Sequence, residues 1–130
     1  MNNKNIYIDT SAFMSIVLGQ DLNHFFQAQI TQSNLYSHEL IISESFSVAK
    51  RENIPFKDIS KSIEKINIVA EITDLISILE ELLYYGYCSG ADLHHLACAK
   101  FLDPTCKNLV FLSGDNRQIE MAKKIGFSTC

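Results

Sequence analysis

Four acids stand apart among the fifteen in this 130-residue chain because of where they fall: Asp9, Glu44, Asp92 and Asp115. Asp9 closes the apolar run Ile6-Tyr7-Ile8, and Asp115 follows the run Leu109-Val110-Phe111-Leu112. Asp92 opens a helical pattern after the turn Ser89-Gly90-Ala91, and Glu44 lies inside another. A carboxylate just ahead of a helix accepts backbone N–H bonds and is favoured by the helix dipole, so capping alone accounts for Asp9, Asp92 and Asp115 taken singly. Glu44 has no such account. It is i+4 from Leu40, i+3 from Ile41 and i−4 from Val48, which places it along an apolar stripe, and no lysine or arginine lies at i±3 or i±4 to neutralise it. If Glu44 instead turns towards the edge where Asp9, Asp92 and Asp115 end, the four negative charges raise one another's pKa values unless a cation is bound. Oxygen donors of this kind suit Mg2+ or Mn2+, and no cysteine or histidine set has the spacing of a tetrahedral zinc site. One or two such ions can hold a phosphodiester, activate a water and stabilise the leaving oxygen, which is the chemistry of nucleic-acid backbone hydrolysis.

Neighbouring residues are candidates for supporting roles. Thr10 and Ser11 are placed to bond a water or a phosphate, and equally to cap a helix. Ser113, two residues before Asp115, is placed to orient that carboxylate or simply to turn the chain. His95, at i+3 from Asp92, reads best as a histidine hydrogen-bonded at the edge of a core. Arg117 is positioned to meet a backbone phosphate. A second basic region runs from Lys50 to Lys65, where five cations face Glu52, Asp58 and Glu64 for a local net of +2; a solvated helical face explains it as well as phosphate contact does. Tyr84, Tyr85 and Tyr87 serve helix packing, a protein interface or base stacking equally well.

The elements that must hold these residues alternate. A strand at residues 6–8 leads into a helix carrying Ala12, Phe13, Ile16 and Val17 on one face, and Gly19 ends it. Asp21 to Ile30 continues in helical period. Residues 35–37 form at best a short strand, and His38 to Arg51 reads as a helix closed soon after by Pro55. A weaker helix is expected from Lys57 to about Ile66, then a strand over 68–72. Thr73 or Asp74 opens a helix with Leu75, Ile76, Leu79, Leu82 and Leu83 on its face, ending near Gly86. Asp92 to Leu102 is helical, Leu109 to Leu112 reads as a strand buried on both faces, and a last helix runs to Ile125 with Gly126 as its C-cap. The four remaining residues suffice to begin an edge strand. Strands alternating with helical crossovers imply an α/β domain with a mostly parallel sheet and helices on both faces, in which ligands gather outside the carboxyl ends of the strands.

Composition narrows the classes. With 47% apolar and 20% charged residues, the chain reads as a single soluble globular domain spanning 1–130. Its net charge of −4 gives no overall steering towards phosphate, so local patches must supply it. The four cysteines, Cys88, Cys98, Cys106 and Cys130, lack a CxxC pair, and reduced thiols of the cytoplasm are expected. No signal-peptide pattern and no membrane-length apolar run is present, so no membrane role is expected.

At these residues the chain resembles the PIN-domain family, and within it the toxin nucleases of type II (VapC-like) toxin–antitoxin pairs. IYIDTSAF resembles the family's first strand with its metal-binding aspartate, here Asp9. SESFSVA places a helical glutamate, Glu44. YGYCSGADLHHLACAKF is the nearest match and puts Asp92 in the third acidic position, with His95 and Ala97 in familiar places; LVFLSGDNRQIEMAKKIGF assigns Asp115 the fourth. The resemblance implies a PIN-like three-layer α/β/α fold with about five strands and a Mg2+- or Mn2+-dependent endoribonuclease acting on structured RNA. In this reading Asp9, Glu44, Asp92 and Asp115 are both metal ligands and catalytic residues. It further implies a homodimer, a cognate antitoxin protein lying over the groove, and contact with DNA only indirectly, through the antitoxin complex. Two departures are that the last strand is abbreviated and that Lys57 to Ile72 follows the family only in outline. A PIN-like module without activity that serves protein interaction is the alternative. A phosphotransfer domain using Asp9 as nucleophile ranks below both, because position 11 is serine where a second acid is needed.

Overall fold

Alternation along two strands decides the layering. Ile6 and Ile8 of the first strand, and Val110 and Leu112 of the fourth, pack with Ala12, Phe13, Ile41, Ala49 and Ile59 on one face of the sheet. Tyr7, Leu109 and Phe111 point the other way, into a second apolar layer with Leu82, Leu96, Ala97, Cys98, Met121, Ala122 and Ile125. Tyr7 and Phe111 stack at the centre of that layer, their rings 5.5 Å apart.

The computed structural model describes residues 4–19 and 33–129. In chain order the elements are β1 (Asn5–Ile8), α1 (Thr10–Val17), β2 (Asn34–His38), α2 (Leu40–Glu52), α3 (Phe56–Ile63), β3 (Ile66–Val69), α4 (Leu75–Leu83), α5 (Gly90–Leu102), β4 (Leu109–Leu112), α6 (Asn116–Ile125) and β5 (Ser128–Thr129). The strands lie in the order β3-β2-β1-β4-β5, and every neighbouring pair is parallel. Helices α1 to α3 cover one face and α4 to α6 the other, so the fold is the expected three-layer α/β/α arrangement around five strands. The expected helix from Asp21 to Ile30 lies outside the described residues. No helix among the described residues is long and apolar enough to cross a membrane.

Several boundaries differ from those expected, each for a non-local reason. His38 ends β2 and does not begin a helix: it pairs with Val69 across the sheet, and its N–H donates to the Tyr7 hydroxyl. β3 starts at Ile66, two residues early, because Leu35 and Tyr36 pair with Ile66 and Asn67. Helix α5 is capped at Ser89, so Asp92 sits in its first turn, where it accepts a hydrogen bond from the Ser89 hydroxyl. Asp9 and Asp115 are N-caps as expected, and Gly126, at φ +121°, ends α6 as expected. Asn53, at φ 56°, ends α2 in the left-handed region that asparagine tolerates.

Candidate active site

β1 is where the strand order reverses, with β2 on one side and β4 on the other, the position at which open parallel sheets take ligands beyond the carboxyl ends of their strands. The register Ile8 against Leu112 and the bond from the Asp9 N–H to the Leu112 carbonyl bring Asp9 beside Ser113. Asp9 is only 3% exposed. Its Oδ1 accepts from the Ser11 hydroxyl at 2.7 Å and from the Ala12 N–H at 2.9 Å, and its Oδ2 accepts a very short bond from the Ser113 hydroxyl. Burial pushes its carboxyl above the ordinary value, and the bonds from Ser113, Ala12 and Ser11, with the nearby His95, offset only part of that rise. Ser113 therefore orients Asp9 and not the Asp115 carboxyl; Asp115 instead donates its backbone N–H to the Ser113 oxygen at 3.0 Å. Ser11 likewise accepts from the Gly114 N–H at 2.9 Å, which ties the turn after β4 to the start of α1. Because both hydroxyl protons are committed to Asp9, the 3.2 Å approach of Ser11 to Ser113 is a packing contact.

A second network adjoins the first at Thr10. Glu44 Oε1 accepts from the Thr10 hydroxyl at 2.7 Å and from His95 Nε2 at 2.9 Å. His95 is 1% exposed, and its Nδ1 lies 2.7 Å from the Tyr7 hydroxyl. That hydroxyl also accepts from the His38 N–H, and His95 Nε2 donates to the Glu44 carboxylate. Burial alone would raise the Glu44 pKa, but the bonds from His95 and Thr10 outweigh it and hold the carboxyl below its ordinary value. The helical stripe of α2 that is buried runs through Ile41, Ser45 and Ala49, so Glu44 stands beside it at the sheet edge, and its partner comes from a helix 51 residues away.

Asp92 and Asp115 reach the same end of the sheet by different ties. The Gln118 side-chain amide donates to the Asp92 backbone carbonyl at 2.9 Å, joining the first turns of α5 and α6. Asp115 Oδ1 accepts from the Arg117 N–H at 2.9 Å. His94 meets His38 with ring nitrogens 3.3 Å apart; burial comes first in lowering both pKa values. Tyr7, His38 and Gln118 carry much of this architecture, yet no motif distinguishes them. Tyr7 shows only the strand alternation, while Gln118 sits three residues after the cap Asp115, a spacing that suggests a capping box it does not form.

Residues 6–124 match the family model for the PIN domain. The chain belongs to the PIN domain family. Fourteen chains of known structure match it, among them that of VapBC-1 from nontypeable Haemophilus influenzae, solved at 2.2 Å. That likeness has a TM-score of 0.68 at 13% identity, covering 97% of this chain and 96% of the other, and at such identity it speaks for the fold. No curated protein matches the sequence.

A divalent cation must be judged against these side chains. Among the described residues no three histidine, cysteine, aspartate or glutamate side chains come together closely enough to hold a metal ion. The donor chemistry nevertheless suits Mg2+, which uses one or two carboxylates and keeps several waters. Asp9 is a buried acid lacking a hydrogen-bonded cation among the described residues, and Glu44 uses only Oε1 in its hydrogen bonds. Among the described residues the four acids therefore form no closed cage, and an ion there would have to rest mainly on Asp9 and its own waters.

Proposed function

We propose that this PIN domain is a Mg2+- or Mn2+-dependent endoribonuclease acting in the cytoplasm as the toxin of a toxin–antitoxin pair. The observation that carries the reading is Asp9: a buried carboxylate at the topological switch point, pushed upward in pKa by burial and hydrogen-bonded by hydroxyls and an amide but by no cationic side chain. Asp9 would hold the ion, with Asp92 and Asp115 completing its surroundings directly or through waters. When bound, the ion supplies charge stabilisation of the phosphodiester and a more acidic water. The protein's own part is positional. Ser11 and Ser113 fix the Asp9 rotamer, while Tyr7 and His95 fix Glu44 in its ionised form. The Thr10 proton is committed to Glu44, so Thr10 presents lone pairs to whatever enters.

The solved VapBC-1 structure, whose fold this chain shares, supports the toxin assignment and, with it, RNA as substrate and an antitoxin protein as partner; an antitoxin lying over the active-site groove and DNA contact only through the antitoxin complex are further parts of the proposal. A homodimer belongs to the same reading. The purified chain, free of partner, is expected to cleave a structured RNA with Mg2+ or Mn2+ and to lose that activity in Asp9→Asn and Asp92→Asn; equal activity in both variants would sink it. The absence of a three-carboxylate cluster among the described residues favours one other reading, an inactive interaction module. That reading requires no thermal stabilisation by millimolar divalent ion and no change of that response in Glu44→Gln.

A further inference from the structure

Next to the acidic edge lies an open groove of about 340 Å3 between the loop after α4 and the outer face of α6. Arg117, Glu120, Met121 and Lys124 are spaced i, i+3, i+4 and i+7 along that helix, so they share one face, and the two cations stand roughly 10 Å apart along the axis. Neither Arg117 nor Lys124 has a carboxylate partner among the described residues, whereas Glu120 is paired with Lys123 at 3.7 Å. Tyr87 forms the opposite wall and is 90% exposed. Its placement is built into the backbone: Gly86 adopts φ +151°, a conformation L side chains rarely take, and a β-carbon there would lie 3.5 Å from Sδ of the buried Met121. The groove starts at Asn116 and Arg117, the two residues that follow Asp115 at the N-terminus of α6, so a strand lying in it runs towards that acid at the carboxyl end of the sheet.

An exposed aromatic face opposite two unpaired cations, in a chain whose net charge is −4, is complementary to an unstacked base with its flanking phosphates. We propose that this groove is a subsite for single-stranded RNA next to the scissile position, with a base stacked on Tyr87 and phosphates met by Arg117 and Lys124. The choice of RNA rests on the ribonuclease reading; the geometry of the subsite does not. A base must be unpaired to stack there, so the subsite selects loops, bulges or ends over continuous duplex.

The test is binding of a short fluorescently labelled single-stranded RNA to the intact protein, followed by anisotropy in EDTA so that no cleavage intervenes. Tyr87→Ala is expected to weaken binding about tenfold and Tyr87→Phe to retain it, because stacking needs only the ring. Tyr84, equally exposed at 90% but outside the groove, serves as the control, and Tyr84→Ala is expected to leave affinity unchanged. Arg117→Ala and Lys124→Ala are each expected to reduce the slope of log affinity against log salt by about 0.7. No RNA binding, or equal losses in Tyr84→Ala and Tyr87→Ala, overturns the subsite. So does affinity that ignores Tyr87, Arg117 and Lys124, which leaves the groove to a protein partner. Binding that depends on Tyr87 in a protein that fails to cleave with Mg2+ supports the subsite while the nuclease reading falls.

Discussion

The two ends of the sheet each bury an aspartate, and the two are treated in opposite ways. At the amino end Asp103, 6% exposed, follows α5 and clasps the start of β4: its Oδ2 accepts the N–H groups of Asn108 and Leu109, both at 2.9 Å, and its Oδ1 accepts the Thr105 hydroxyl. Burial works to raise its pKa, but these bonds outweigh burial and hold the carboxyl below its ordinary value. At the carboxyl end Asp9 accepts three hydrogen bonds, only one of them from a backbone N–H, whereas Asp103 is held by the N–H groups of Asn108, Leu109 and Lys107 as well as by Thr105, and at Asp9 burial prevails. Fewer backbone donors at a buried position are thus what separate Asp9 from Asp103. At Asp103 the fold itself stabilises the ionised form, and at Asp9 it does so only in part.

The strongest way to break this comparison is to remove the charge at each end in turn. Asp9→Asn is expected to lower metal-dependent RNA cleavage by at least about 100-fold, while Asp103→Asn, assayed as folded protein, is expected to leave it within a few-fold. Comparable losses in both variants would erase the distinction. Next, titration with Mg2+ is expected to raise the thermal midpoint of the wild type by an amount equivalent to about 2.7 kcal/mol at a hundredfold excess over Kd, with no rise in Asp9→Asn and a full one in Asp103→Asn. Then, in chemical denaturation, Asp103→Ala is expected to cost about 1–3 kcal/mol, because the buried Leu109 N–H and its neighbour at Asn108 lose their acceptor.

The smallest effect is the one that sharpens the comparison most, since its sign differs between the two ends. The depressed pKa of Asp103 contributes stability that is present above its unfolded value of about 3.9 and is lost as pH falls through the native value, so Asp103→Asn should flatten acid unfolding. The raised pKa of Asp9 contributes stability present below about 3.9 and lost as pH rises through its native value. In chelator, Asp9→Asn should therefore remove a decline in stability on the alkaline side of that transition. Denaturant titrations across pH 2–7, an interval of about five units around these values, read both.

Much of the positioning was legible from period and punctuation. The alternation at Ile6-Tyr7-Ile8 and the continuous run Leu109 to Leu112 each mark a strand whose two faces are both covered, and each leads to a cap, Asp9 directly after Ile8 and Asp115 three residues after Leu112. What could not be read was set by contacts across large sequence separations. His38 looks like the start of a helix until its N–H is seen to meet Tyr7, and the start of β3 depends on its ladder with β2. Glu44 lacked a cation at helical spacing, yet its partner His95 comes from another helix, oriented by a tyrosine 88 residues from it. Ser113 was expected to serve the acid two residues on; the parallel register of β1 with β4 hands it to Asp9 instead. Local pattern thus identifies which residues reach the edge, and the sheet's pairing decides which of them touch.

One consequence follows from the way Asp9 is gripped. Of its four lone-pair directions, Ser11 and Ala12 take both on one oxygen and Ser113 takes one on the other, so a single direction is open. Chelation through both oxygens would have to dismantle those bonds. An ion bound there would meet Asp9 through one oxygen, a mode that suits a small octahedral ion keeping its own water shell and disfavours Ca2+, whose larger sphere often draws on both oxygens of a carboxylate.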